Sequence, residues 1–299
     1  MIRRPPRSTQ GVSSAASDVY KRQGLYNLEG LKDVKEVNID TPFGSPSSSI
    51  VVGNFEGVSV AFVPRHGSGH TISPTNIPVR ANIFALKKLG VSKVIAVSAV
   101  GSLRENIAPL DLVIPNQVID RTKIRASTFF DGSIVAHVGF ANPFCRSVSH
   151  DLYSSASKLG AKVHNGGTYV VIEGPQFSSL AESNLYRSWG ADVIGMTALP
   201  EAKLAREAEL CYAILACSTD YGCWRDSEES VTVDMVVANL NKNIKISKKI
   251  LEDVIPNLSQ NVDCECNYAM ENAIISSRDS IDAVSYTHLR AHETRHDLV

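Results

Sequence analysis

The chain has 299 residues, 43% hydrophobic and 20% charged, with a formal net charge of −1. Its length holds one large domain or two small ones, and its near-neutral charge gives no support for nucleic acid or an acidic membrane as a partner. No apolar run approaches the roughly 18 residues that span a bilayer. The six cysteines are scattered apart from Cys264 and Cys266, which fits a reducing cytosol better than a secreted disulfide scaffold.

Residues 1–23 are rich in Arg, Ser and Pro and poor in acid. That texture fits a transit peptide, but the C-terminal VSYTHLRAHETRHDLV, residues 284–299, is equally unlike its surroundings. Both ends read as translated adapter sequence, which would explain why neither has hydrophobic periodicity. Between them stands KRQGLYNLEG, residues 21–30. A loop such as GLYN usually follows a buried strand, and none precedes it here.

From Gly24 to about Asp282 strands and helices alternate. SSIVVGNF and GVSVAFVP are β-branched apolar runs around a short turn, so they predict a hairpin. Ile77–Leu89 has helical spacing, opens near Pro78 and stops at Gly90. VSKVIAVSAVG predicts a buried strand running into a small-residue loop. TYVVIEGP and ADVIGMT predict two more strands, LPEAKLAREAEL an amphipathic helix, and CYAILACSTDYG another buried strand. Thr232–Val254 predicts a long helix closed by Pro256. Nearly continuous apolar strands interleaved with helices argue for an α/β fold, a central mixed sheet covered on both faces. Without a repeat or linker, residues 24–258 read as a single domain, and 259–283 as a tail carrying Cys264-Glu265-Cys266.

Ligands of such sheets sit outside the C-terminal strand ends, where PRHGSGH, SAVGS, GMT and STDYG fall. Arg65 offers a planar fork for phosphate oxygens. His66 stands beside it, and Gly67 and Gly69 let backbone N–H groups approach an anion. Ser98 and Thr197 add hydroxyls. Taken singly, each segment fits an ordinary surface loop or tight turn; together they would form a phosphate cradle without P-loop spacing. Asp220 fits a turn or capping residue. It also fits a buried acid that protonates a leaving group. The tail's His292-Glu293-Thr294-Arg295-His296 matches the zinc-protease pattern H-E-x-x-H, but it lies three residues from the chain end in a segment without an apolar face. No metal site is assigned to it.

PRHGSGHTISPTNIPVRANIFALKKLG, SAVGSLRENIAPLDLVIPNQVIDRT, EGPQFSSLAES, ADVIGMTALPEAKLAREAELCYA and STDYGCW, taken in order, resemble the 5′-methylthioadenosine phosphorylases, a branch of the purine nucleoside phosphorylases, with archaeal members most alike. The resemblance covers about Gly24 to Pro256. It implies the nucleoside phosphorylase fold and phosphorolysis of methylthioadenosine to adenine and methylthioribose 1-phosphate. Inorganic phosphate is the co-substrate, with no metal or organic cofactor, in a cytoplasmic trimer or hexamer. By motif position it assigns phosphate to Arg65, His66, Ser98, Ala99 and Thr197, and the ribose to Met196. The base falls to Phe177, Ser178 and Asp220, and the methylthio group to Val233 and Val236. His137 is assigned a reach into the neighbouring subunit's site.

Two positions depart from the pattern. The family usually carries a second acid two residues after the first, where this chain has Gly222; that leaves room for a 6-oxopurine, so inosine, guanosine and methylthioinosine are alternative substrates. Members also begin with a strand and G-[ST]-G, whose hydroxyl and amides bind phosphate. Here only the last glycine remains, as Gly24, with Gln23 at the hydroxyl position. A chain lacking that strand would be an inactive purine-binding fragment, a third reading. Cys264-Glu265-Cys266 resembles a C-x-C pair that can form a disulfide in some archaeal members. Two free surface thiols fit as well, and the spacing is too short for a tetrahedral zinc site without two further Cys or His nearby.

Overall fold

A computed structural model describes residues 28–130, 132–225, 233–258, 264–277, 279 and 281. Gln23, Gly24 and the H-E-x-x-H segment lie outside the described residues. The predicted hairpin is present as β2 (Ile50–Phe55) and β3 (Val58–Phe62). Its two-residue turn, Glu56-Gly57, has positive φ at both positions (49° and 88°), and the Gly57 N–H donates to Asn54 Oδ1 at 2.9 Å. Such a turn matches the right-handed twist of the strands it joins. A strand not foreseen, β1 (Lys32–Val37), pairs antiparallel with β2. Its KDVKEV is mostly exposed and charged, so no apolar alternation marks it.

Among the described residues the main sheet has seven strands. In chain order they are β4 (Lys93–Ser102), β5 (Leu112–Ile114), β6 (Gln117–Arg121), β7 (Val163–Asn165), β8 (Thr168–Ile172), β9 (Val193–Gly195) and β10 (Cys211–Asp220). Their order in space is β6-β8-β9-β4-β10-β5-β7, with both parallel and antiparallel pairs. The expected mixed sheet is borne out. Every residue of β10 is buried, as an apolar run covered on two faces requires. One face packs against α1 (Val79–Lys88) and α4 (Ala198–Glu207), the other against α2 (Arg146–Lys158) and α5 (Val233–Asn257). The fifth helix, α3, spans Leu180–Ser188 and opens with a Ser179–Glu182 capping box.

Two boundaries differ from the sequence expectation. Residues 98–102, read as a loop, are the last half of β4. Small residues leave strand pairing intact, and Gly101 is demanded by its neighbours: a Cβ there would lie 3.1 Å from Ile194 Cγ2 and 3.2 Å from Asp220 Oδ1. β10 ends at Asp220, as the sequence predicts. The long helix runs past Val254 to Asn257, with Pro256 inside its final turn, where the missing N–H costs only one terminal hydrogen bond.

Arg125 staples the strand ends beneath the site. Its guanidinium donates to the carbonyls of Met196 (2.5 Å) and Leu199 (2.7 Å) and to that of Glu173, and it pairs with Glu173 Oε1 at 2.9 Å. The Arg125 side chain is 4% exposed. The Thr75 hydroxyl, the Arg125 guanidinium and the Lys123 N–H overcome desolvation and hold the Glu173 carboxyl at about 2. Replacing Arg125 with Met leaves a carboxylate and several carbonyls unpaired, so urea unfolding should show a loss of about 3–5 kcal/mol at neutral pH. A lowered folded pKa gives stability that is present above the unfolded value near 4.5 and lost as pH falls toward about 2. That acid-side loss should therefore shrink in the variant.

Candidate active site

A cavity of about 930 Å³ opens at the C-terminal ends of β4, β9 and β10. It has a polar end and an apolar arm. Arg65, His66, Ser98, Ala99, Met196, Thr197, Phe177, Ser178, Asp220 and Gly222 all line the polar end, so the structure brings together ten of the residues singled out in the sequence. Val236 lines it as well. Val233 starts α5, but its side chain lies outside the described residues. His137 is exposed and does not line the cavity of this chain. Its N–H donates to Ala273 O at 2.8 Å, tying it to the C-terminal tail.

Arg65 follows β3 in a segment turned by Gly67 and Gly69, both at positive φ (73° and 79°). Its Nη1 donates to Thr197 Oγ1 at 3.0 Å, and its Nε lies 3.3 Å from Glu201 Oε1. The Ser98 hydroxyl meets Thr197 Oγ1 at 3.1 Å and the Tyr169 hydroxyl at 3.2 Å. Behind them Tyr212 OH donates to Glu201 Oε2 at 2.8 Å. Arg65, Thr197, Ser98, Glu201, Tyr169 and Tyr212 thus form one hydrogen-bonded chain. Burial raises the pKa of both tyrosines, which keeps them as O–H donors. Gly195 makes room for this chain, since a Cβ there would lie 2.1 Å from the Tyr169 hydroxyl oxygen.

His66 Nδ1 lies 2.9 Å from Ile72 O, so Nδ1 carries the proton and Nε2 is left as an acceptor. The ring stacks on His70 with centroids 4.1 Å apart. Burial, followed by the nearby His70 and Arg65, lowers its pKa to about 4 against the pull of the Ile72 carbonyl. His66 is therefore neutral at pH 7, and the positive charge beside it resides on Arg65.

Asp220 ends β10 at an irregularity in its pairing with β4, between Ser218 and Asp220. Such bulges re-aim a side chain. Asp220 is 7% exposed. The Thr219 hydroxyl donates to Oδ2 and the Gly222 N–H to Oδ1, each at 2.7 Å. Burial outweighs both bonds and raises the carboxyl pKa above its ordinary value. Gly222 itself has φ +65°. Phe177, 63% exposed, stands at the rim. Met196 is seated by Gly174, whose absent Cβ would fall 2.5 Å from Met196 Sδ.

The apolar arm runs between β3 and β4 beneath α5, lined by Val58, Val60, Phe62, Ile95, Val97 and Ile244 among others. β3 pairs only with β2 among the described strands. β4 pairs with β10 along one edge, but on the other edge meets β9 only at Gly101 and Ser102. Two strand edges therefore face this arm without a described partner.

Sequence reasoning missed Glu201, Tyr169 and Tyr212. Glu201 lies inside an amphipathic helix of ordinary charged texture, and the tyrosines are buried in apolar strands. Only the folded arrangement gives any of them a polar partner.

The family model of the phosphorylase superfamily matches residues 26–256. The S-methyl-5′-thioadenosine phosphorylase of Geobacter sulfurreducens is 51% identical over 261 residues, 87% of this chain and 91% of its own. That of Synechocystis sp. is 48% identical over 287 residues, covering 95% and 88%. Among solved structures, a methylthioadenosine phosphorylase from an antarctic soil metagenomic library matches with a TM-score of 0.86 at 45% identity, over 90% of this chain and 95% of that one. The Schistosoma mansoni methylthioadenosine phosphorylase in complex with adenine matches with a TM-score of 0.75 at 30% identity, over 94% and 96%. With most of its length matched in this way, the chain belongs to the phosphorylase superfamily and, within it, to the S-methyl-5′-thioadenosine phosphorylases.

Proposed function

We propose that the chain is built to catalyse phosphorolysis of 5′-methylthioadenosine, using inorganic phosphate and no cofactor. The observation that carries this reading is one cavity with an Arg-Ser-Thr polar set on one side and a buried carboxyl on the other. Arg65, His66, Ser98, Thr197 and the backbone at Ala99 hold phosphate. Neutral His66 accepts a hydrogen bond from a phosphate O–H through Nε2, while Arg65 supplies the charge, oriented by Glu201. Met196 lies under the ribose, Phe177 and Ser178 beside the base, and Val236 against the methylthio group.

The C1′–N9 bond breaks with its electron pair moving onto the purine. A phosphate oxygen forms the new bond to C1′, and the negative phosphate stabilises the cationic ribosyl centre between the two events. Asp220, protonated, donates to N7 of the departing base. Its raised pKa makes that form accessible at higher pH than an exposed Asp allows. In Asp220→Asn, methylthioadenosine turnover should fall about 10²–10⁴-fold. The basic limb of the kcat profile should also vanish, because the acid form is present below the raised pKa and lost as pH rises through it. An unchanged limb in the variant would remove Asp220 from the role.

A second reading, a 6-oxopurine phosphorylase, is favoured by Gly222 alone. A Cβ at this position meets nothing closer than Trp224 Cδ1 at 3.5 Å, and Asp is among the residues that tolerate positive φ. Gly222→Asp should raise the kcat/KM ratio of methylthioadenosine over inosine roughly tenfold or more, as one charge-assisted hydrogen bond supplies about 1.5–3 kcal/mol. Inosine turned over as well as methylthioadenosine by the unaltered chain would establish the second reading instead.

We further propose that the strand and G-[ST]-G loop preceding Gly24 in the family belong in the apolar arm between β3 and β4. Extending the chain before Gly24 with an apolar, β-branched strand ending in Gly-Ser-Gly should raise kcat/KM for phosphate by about 10²–10³, the worth of one well-placed oxyanion donor. Equal activity of the extended and unextended chains would show that the arm needs no such strand.

A further inference from the structure

At the opposite end of β10 from Asp220, four sulfurs meet. Cys145, Cys211, Cys264 and Cys266 bring their Sγ atoms within 4.8 Å of one another. Cys145 Sγ and Cys264 Sγ are 3.6 Å apart, and all four thiols are free. Cys145, Cys211 and Cys266 are buried, which corrects the expectation of a surface pair at Cys264 and Cys266. The short C-x-C spacing alone cannot enclose a metal. The fold supplies the two further thiols, one from the start of β10 and one from the residue before α2.

We infer that these four cysteines form a structural zinc site. Zn–S bonds of about 2.3 Å at tetrahedral angles put sulfurs about 3.8 Å apart, so this cluster needs only small adjustments to close on an ion. Cys145 occupies the N-cap position of α2, where the helix N-terminus presents backbone N–H donors. The positive charge of the buried Arg206 acts on Cys266. Backbone N–H donors and a nearby cation are the outer partners that tune thiolate–metal sites. Binding releases the remaining thiol protons to solvent.

The site would serve the tail. Residues 264–277 cross from this cluster to the segment around His137, where Ala136 bridges Ile274 and Met270 N donates to Glu209 Oε1. Zinc would fix one end of that tail to α2 and β10. The polar end of the cavity, with Asp220, lies at the other end of β10, about 30 Å away for ten residues of strand, so the metal has no part in phosphorolysis.

The test uses the full chain purified with reductant. Metal analysis should find one zinc per chain after gel filtration. Exchange with cobalt should give tetrahedral ligand-field absorption together with thiolate-to-cobalt charge transfer. That second band separates the cluster from binding at His288, His292 and His296, which carry no thiolate. A Cys264→Ser, Cys266→Ser double variant should lose the metal and the band, while Cys223→Ser keeps both. Should the double variant fail to fold, the cobalt spectrum of the unaltered chain still decides. Four reduced, alkylatable thiols without bound metal would overturn the proposal. So would a Cys264–Cys266 or Cys145–Cys211 disulfide in the reductant-purified protein, or cobalt bound without the charge-transfer band.

Discussion

The parallel pairing of β4 with β10 is the constraint on which the rest depends. It runs from Cys211 beside Lys93 to Asp220 beside Gly101. In that register Ser98 and Asp220 arrive at the same end of the sheet from different strands. The irregularity near Thr219 then turns the carboxyl toward the cavity. A one-residue slip would send Ser98 to the opposite face and the phosphate hydroxyls would no longer converge. Because β10 is buried throughout, such a slip would also bury the wrong side chains, so the packing energy of the core enforces the geometry of the site.

The electrostatics follow from the same burial. A cavity that binds a phosphate dianion needs positive charge, yet Arg65 is shared with Glu201. The shared carboxylate weakens the net field but fixes the guanidinium, whose Nη1 is already committed to Thr197. His66, being neutral, adds no charge. The site therefore trades field strength for directed donors, which favours an anion held in one orientation over any anion at all. Asp220 stands across from this set, and low local dielectric raises its pKa where an exposed acid would stay ionised.

Much of this was legible in the chain. Hairpin, buried strands and long helix carry strong apolar periodicity, and each was found. What escaped was of two kinds. Elements such as β1 and α2 are polar on most faces, KDVKEV and RSVSHDLYSSASK; β1 is held by pairing with β2 and α2 by the few apolar residues, Val148, Leu152 and Ala156, that it buries. Glu201, Tyr169 and Tyr212 support the site from behind through bonds between residues far apart in sequence. Tyr169 and Ser98, for example, are 71 positions apart. The four clustered thiols are the same case: Cys145 and Cys264 are 119 positions apart, and no spacing rule links them.

The distribution of function along β10 has a physical logic. Its C-terminal end carries a carboxyl whose raised pKa depends on dehydration and exact placement. Its N-terminal end carries Cys211 within the thiol cluster. A strand buried on both faces cannot slide or tilt without moving both ends together. On the proposed reading, a metal holding Cys211 would resist fraying at the far end of the strand that aims Asp220. It would also hold the tail against the segment of His137, which the family resemblance sends to a neighbouring subunit. The cluster would then stabilise the framework at the one place where α2, β10 and the C-terminal tail meet, and leave the chemistry to the opposite end of the sheet.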